Sequence, residues 1–250
     1  MSYNPFSLEG KTVLVTGASS GIGQTTAIEC SKMGAKVIIT GRNEQRLKAT
    51  YDALNPHVSN HVLFSADLAT NEGIQKIVDE VEVLDGLVLC AGRGMTVPLQ
   101  FATQEKVDSV FRLNFYSQIE LLRMLYKKKK IKKESSIVLV CSIGGTRSFL
   151  PANGLYGASK SALNSIMKYA AVEFAPRKIR VNSVCPGMVE TPLIHGGMFT
   201  QEDRETDMDK YPLKRYGKTT DVAYGIIYLL SDAASWITGH ALVIDGGFTI

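Results

Sequence analysis

KTVLVTGASSGIGQTTAIECSKMGA, residues 11–35, decides how this chain folds. Its opening is rich in β-branched and apolar residues, which suits a buried strand. That strand runs into Gly17-Ala18-Ser19-Ser20-Gly21-Ile22-Gly23, and a helical pattern begins at Gln24. Strand, glycine turn and helix in that order are the setting a dinucleotide fingerprint needs. Its glycines permit a tight turn, let backbone approach a pyrophosphate and draw the helix close to the strand. The phosphates then sit at the positive helix N-terminus. The spacing is G-x-x-x-G-x-G instead of the commoner G-x-G-x-x-G. A plain glycine-rich loop is the alternative, and the flanking strand and helix argue against it.

Working outward, the same alternation repeats. The strand KVIIT (36–40) ends at Gly41-Arg42-Asn43, where an adenosine ribose would lie. An acidic residue there would bind the 2′-hydroxyl; Arg42 instead suits the 2′-phosphate of NADP, because a guanidinium bonds phosphate in a charge-assisted, bidentate way. The alternative for Arg42 is a solvated loop arginine. HVLFSAD (61–67) closes at Asp67-Leu68, and GLVLCAG (86–92) reads as a fully buried parallel strand carrying Cys90, Ala91 and Gly92. Residues 103–126 have helical periodicity with Asn114 inside, a polar amide that needs partners. SSIVLVCS (135–142), IRVNSVCPG (179–187) and HALVIDGG (240–247) complete the strands. The expectation is one α/β domain over residues 1–250, a Rossmann-type doubly wound parallel sheet of about seven strands with helices on both faces. In such a sheet ligands gather at the carboxyl ends of the strands, where Gly17, Asp67, Gly92, Ser142 and Pro186 all fall.

Ser142, Tyr156 and Lys160 are the candidates for chemistry. Tyr156 and Lys160 are four apart, hence on one face of a helix. An ammonium beside a phenol favours the phenolate and so makes the phenol a usable proton donor near neutral pH. A hydroxyl at a strand end, such as that of Ser142, can hydrogen-bond the carbonyl oxygen that receives the proton. The small residues Ala158, Ala162, Ala170 and Ala171 of that helix suggest a close helix–helix contact.

Composition narrows the classes. The chain has 250 residues, 45% of them apolar and 21% charged, enough for a substantial core. No apolar run reaches the roughly 18 residues of a membrane span, and the N-terminus lacks the pattern of a secretory signal. Cys30, Cys90, Cys141 and Cys185 are widely spaced without C-x-x-C, which suggests free thiols in a reducing, cytoplasmic setting, and no metal site is expected. The net charge of +4 is local, for Lys127 to Lys133 hold six lysines. That run argues for a solvated helix end or for docking of an acidic carrier protein or anionic substrate, not for a nucleic-acid surface. The polar stretch from about 188 to 216 reads as a lid over substrate, with His195 a loop histidine.

Jointly these residues resemble the short-chain dehydrogenase/reductase family over nearly the whole chain. The matches are T-G-A-S-S-G-I-G (16–23), D-L (67–68), A-G (91–92), Asn114, Ser142, Y-G-A-S-K (156–160) and P-G-M-V-E-T (186–191). The resemblance implies a catalytic set of Asn114, Ser142, Tyr156 and Lys160. Tyr156 would be the acid/base, Ser142 would orient the carbonyl, Lys160 would ease the tyrosine's proton loss and hold the nicotinamide ribose, and Asn114 would position a relay water. It also implies cofactor contacts from Gly17, Ser19, Ser20, Gly21, Ile22, Gly23, Arg42, Asp67 (to adenine), Leu68, Cys90, Ala91, Gly92, Pro186 and Gly187. Val189 and Thr191 would lie near the nicotinamide amide. A homotetramer or homodimer is implied as well. One departure is Cys90, where the family commonly has asparagine bracing the sheet; the segment EVEVLDG (80–86) is also shorter than usual. The C-terminal PLKRYGKTTDVA and TGHALVIDGG are similar to 3-oxoacyl-carrier-protein reductases of fatty acid biosynthesis, in which basic residues before the fifth and sixth strands receive the carrier. Lys132 or Lys133 and Arg177 hold comparable places. The expected activity is NADP-dependent reduction of a carbonyl, a 3-oxoacyl thioester. The alternatives are dehydrogenation of a sugar, polyol or other secondary alcohol, or a non-catalytic NADP-binding module.

Overall fold

A computed structural model describes residues 3–192 and 201–250. Seven parallel strands form one sheet in the order β3-β2-β1-β4-β5-β6-β7. They are β1 (Thr12–Thr16), β2 (Lys36–Gly41), β3 (Val62–Ser65), β4 (Leu84–Leu89), β5 (Ile131–Val140), β6 (Arg180–Pro186) and β7 (Ala241–Ile244). The order reverses direction between β1 and β4, where Leu14 stands opposite Leu87. That reversal opens a crevice at the strand ends.

Helices cover both faces because the strands are apolar on both. Leu14, Leu87, Leu89, Ile137 and Leu139 point to one side, joined by α3 (Asn71–Glu80), α5 (Ser117–Lys127) and α6 (Gly154–Phe174) through Ile77, Leu121 and Met167. Val13, Val15, Val88, Val138 and Val140 point to the other, joined by α1 (Gly21–Lys32), α2 (Glu44–Asp52) and α8 (Thr219–Leu230) through Ala27, Leu47 and Ile226. Burying both rows removes every second-residue polar position, so these strands read as continuous apolar runs. Between β6 and α8 lies a further helix, α7 (Gln201–Met208).

Three local expectations change. The helix read across residues 103–126 is interrupted: α4 (Gln104–Phe111) passes into a π turn at Arg112–Tyr116 before α5 begins. The lysine run does not end at the helix terminus. Lys127 closes α5, whereas Ile131 and Lys132 already belong to β5, whose pairing jumps from Leu84–Ile131 to Gly86–Ser136. Of the residues between those pairs, Lys132, Lys133 and Glu134 are exposed, while Ser135, like Ile131, is buried. Finally, Ala158 is exposed, and the small residues that bury are Ala170 and Ala171, in the core.

Candidate active site

The glycine turn is shaped by what lies against it. Gly17 has φ +68°, and a Cβ there would stand 2.8 Å from the Ala91 Cα, so no side chain fits between the β1 and β4 ends. A Cβ on Gly23 would stand 2.4 Å from the Gly17 carbonyl oxygen, which brings the first turn of α1 directly under the loop. Ser20 takes the N-cap position of α1 in extended backbone but makes no side-chain capping bond. The N-terminal amides of α1 thus lack the usual side-chain acceptor, and an anion suits them. Across the crevice, the Thr191 methyl lies 3.3 Å from where a Gly21 Cβ would be. Ile22 is half-buried on the α1 side of the core.

Ser19 reaches the end of β2, its Oγ 3.2 Å from the Cβ position of Gly41. The next residue, Arg42, is exposed and directly precedes Asn43, which caps α2 by accepting from the Arg46 amide at 2.8 Å. Asp67 turns its carboxylate onto its own loop, accepting from the Ala69 amide at 2.9 Å. Leu68 is a core residue, so only its backbone is free to line the crevice. Pro186 ends β6 and accepts from the Ile143 amide at 3.1 Å; Gly187 donates to Ile244 at 3.0 Å; Val189 is buried. A glycine-built turn at an open helix N-terminus, with a cation at the tip of β2, fits a dinucleotide.

Thr16 fastens the strand ends. Its hydroxyl accepts from the Cys90 amide at 3.0 Å and the Ala91 amide at 3.2 Å, and donates to Val88 at 3.3 Å. The brace expected from a side chain at position 90 is therefore supplied from β1. Cys90 itself is half-buried, and burial pushes its thiol up to about 11.

The four candidate catalytic residues meet in two pairs. A Cβ on Gly92 would lie 3.2 Å from Lys160 Nζ and 3.3 Å from Asn114 Oδ1. A Cβ on Gly144 would lie 3.2 Å from Ser142 Oγ, 3.6 Å from Asn153 Nδ2 and 3.9 Å from Tyr156 Cε1. The pairs are joined by α6, which carries Tyr156 and Lys160 one turn apart. Lys160 is buried and donates to the Val140 carbonyl at 2.8 Å, with no ion pair among the described residues. One bond satisfies only one of three ammonium donors. Asn114, fully buried in the π turn, accepts from the Arg93 amide at 2.8 Å and donates to the Arg93 carbonyl at 3.0 Å and to Ser159 Oγ at 3.0 Å. Ser159 passes the contact on by donating to the Tyr156 carbonyl at 2.7 Å. Ser142 Oγ accepts from the Gly144 amide at 3.0 Å.

Sequence reasoning missed Thr16, Gln118, Asn153 and Ser159. Thr16 and Ser159 stood inside quoted motifs, and Asn153 stood three residues before Tyr156. Gln118 offered only one polar side chain on an otherwise apolar helix face.

Beyond β6 the chain leaves and returns through a neck. Glu190 donates to Gly217 and Gly217 to Met188, both at 2.9 Å. Tyr211, buried against Phe248, accepts from the Met188 amide at 3.2 Å, and Tyr216 donates to Asp207 at 2.9 Å. The expected lid lies here, but 193–200, with His195, fall outside the described residues. Lys132, paired with Asp85 at 2.8 Å, and Arg177, which donates to Ile131 at 2.6 Å, lie at the amino end of β5, opposite Ser142.

Comparison with known proteins agrees with this geometry. The family model described as Enoyl-(Acyl carrier protein) reductase matches residues 17–249. The 3-oxoacyl-(acyl-carrier-protein) reductase of Rickettsia prowazekii (strain Madrid E) is 36% identical over 241 residues, covering 96% of this chain and 97% of that protein. A tropinone reductase homologue of Arabidopsis thaliana is 32% identical over 255 residues, covering 98% and 92%. Among solved structures, a dehydrogenase/reductase from Sinorhizobium meliloti 1021 superposes with a TM-score of 0.91 at 29% identity, covering 98% of each chain.

Proposed function

The chain belongs to the short-chain dehydrogenase/reductase family, and on that premise we propose that it reduces a 3-oxoacyl thioester to the 3-hydroxyacyl product with NADPH. Family membership makes it an NAD(P)-dependent oxidoreductase acting on CH–OH and C=O groups. The observation that carries the proposal is the meeting of Lys160 and Asn114 at Gly92, one helical turn from Tyr156 and beside the glycine turn.

Gly17, Ser19, Ser20, Gly21, Ile22 and Gly23 hold the pyrophosphate in this reading, and Arg42 takes the 2′-phosphate. Asp67, Leu68, Cys90, Ala91 and Gly92 would border the adenosine and ribose, while Pro186, Gly187, Val189 and Thr191 would flank the nicotinamide. The nicotinamide supplies the hydride. Ser142 Oγ donates to the carbonyl oxygen and holds it toward Tyr156. The Tyr156 hydroxyl gives its proton to that oxygen, and the buried Lys160 ammonium stabilises the phenolate left behind. Asn114 holds the π turn and Arg93 in place, where a relay water would be positioned.

The whole chain acts as one domain, with residues 188–216 as the lid over substrate, in the cytoplasm and as a homotetramer or homodimer. The partner in this reading is an acyl carrier protein, which the resemblance would dock at Lys132 or Lys133 and Arg177, on the rim away from Ser142 of the same chain. The 3-oxoacyl assignment draws on the Rickettsia relative. A second reading, reduction of a small cyclic or acyclic ketone, draws on the Arabidopsis tropinone reductase homologue of comparable identity.

The test is oxidation of NADPH with acetoacetyl-CoA, alongside NADH and a Tyr156→Phe control. Turnover with NADPH that is lost in the variant supports the reading. Turnover retained in Tyr156→Phe sinks the assignment of the acid, and binding without turnover moves the substrate to small ketones or polyols. Arg42→Ala should weaken NADPH binding about tenfold with NADH little changed, as loss of a charge-assisted pair of about 1.5 kcal/mol implies. Equal losses for both would refute the 2′-phosphate role.

A further inference from the structure

Gln118 stands in the first turn of α5, fully buried. Its Nε2 donates to the Ala91 carbonyl at 2.5 Å and, at 3.4 Å, to the Leu113 carbonyl inside the π turn. Its Oε1 has no partner. A buried amide oxygen left unpaired is costly, and an apolar side chain of similar volume would avoid that cost. A residue kept under such a penalty calls for a reason beyond packing.

The reason lies in what Ala91 carries. Gly92 follows it, and the Gly92 Cα faces both Lys160 Nζ and Asn114 Oδ1. Thr16 holds the Ala91 amide from β1, Gln118 holds the Ala91 carbonyl from α5, and Asn114 holds both polar groups of the Arg93 backbone. Three elements thereby fix the peptides on either side of Gly92. With Gln118 on it at 2.5 Å, the Ala91 carbonyl already has its donor. Without Gln118 it would need another donor, and Lys160 has two to spare. An ammonium drawn to that carbonyl would stabilise the Tyr156 phenolate less.

We propose that Gln118 is a positioning residue, which occupies the Ala91 carbonyl so that this group makes no demand on Lys160, and so sets how strongly Lys160 acts on Tyr156. This rests on the reading of Tyr156 and Lys160 given above. It adds a residue that acts through them without touching substrate.

The test uses Gln118→Met, which keeps length and volume but has no donor, with Gln118→Leu as a second replacement should the first fail to fold. Two readouts are followed. One is kcat and KM against pH with NADPH and acetoacetyl-CoA. The other needs no substrate: phenolate absorbance during alkaline titration of each protein, taken as the difference from the same protein carrying Tyr156→Phe. The expected result is a fall in kcat of about tenfold with the KM for NADPH within twofold, and movement of the phenol titration to higher pH by about half a unit or more. A titration midpoint unchanged from wild type overturns the proposal, whether or not kcat or thermal stability falls, since packing alone would explain such a loss. Failure of the underlying reading shows differently: Tyr156→Phe would then keep its turnover, whatever Gln118 does.

Discussion

The two rims of the sheet are built from the same seven strands and spend their polar residues in opposite ways. At the amino ends the chain is crowded with cations, and most are matched locally. Lys11 pairs with Asp232, Lys36 with Glu82, Lys128 with Asp79 and Lys132 with Asp85, while Lys130 and Arg180 donate to backbone carbonyls. At the carboxyl ends, beside the exposed Arg42 and Arg93, stands a buried set of uncharged residues bonded to backbone: Thr16, Asn114, Gln118 and Ser159. The cation buried among them, Lys160, pairs with no carboxylate among the described residues. Exposed ion pairs hold little energy, because water screens them and ordering long side chains is costly. Buried amides and hydroxyls that fix backbone hold more, since nothing replaces them when they are removed. The quiet rim is therefore the one that carries chemistry.

That contrast can be broken in several places. The largest effect should come from Tyr156→Phe, which removes the proposed proton donor and should lower kcat by about 10²–10⁴ with folding unchanged. Thr16→Val comes next. It strips the acceptor from two part-buried amides and should cost about 1–3 kcal/mol in denaturant unfolding. A loss below about 0.5 kcal/mol would mean that the strand ends hold themselves.

Tyr211 sharpens the comparison through pH. Burial pushes its phenol up to about 12, against about 10 in an unfolded chain. Its folded value is the raised one, so its contribution is complete below pH about 10 and is lost as pH climbs toward 12, roughly 2–3 kcal/mol in all. Tyr211→Phe should flatten the alkaline limb of stability over that window; an identical limb would remove Tyr211 as its cause. The smallest effects belong to the crowded rim. Lys128→Gln and Lys132→Gln should each change stability by less than about 1 kcal/mol and leave kcat untouched. A large kcat loss there would mean that the rims are coupled.

The parallel sheet of about seven strands was legible because parallel strands buried on both faces leave uninterrupted apolar runs. Glycine is also demanded at position 17, where the end of β1 lies against Ala91. Which candidates meet was only half legible. The four-residue step from Tyr156 to Lys160 is local, and periodicity reveals it. Gly92 facing Lys160 across the crevice is set by sheet pairing, which leaves no mark on either segment. The lysine run misled for the same reason, since its partners Asp79 and Asp85 precede and open β4 and come near only when β5 pairs with it. The π turn at Arg112–Tyr116 was hidden too, because the apolar period continues on either side of it.

That π turn has a genetic consequence. It holds one residue more than a regular turn of the α-helix would, and each residue of such a helix turns it by about 100°. A single-codon deletion within Arg112–Tyr116 would close the wide turn into a regular one and leave α4 and α5 close to their present phase. The same loss inside a regular helix would rotate one half against the other by that angle. Here the change would be confined to the turn itself, taking Asn114 off Arg93 and Ser159 while Leu121, Leu122 and Leu125 stay in register, so the product would fold as a sheet protein without its reactive end.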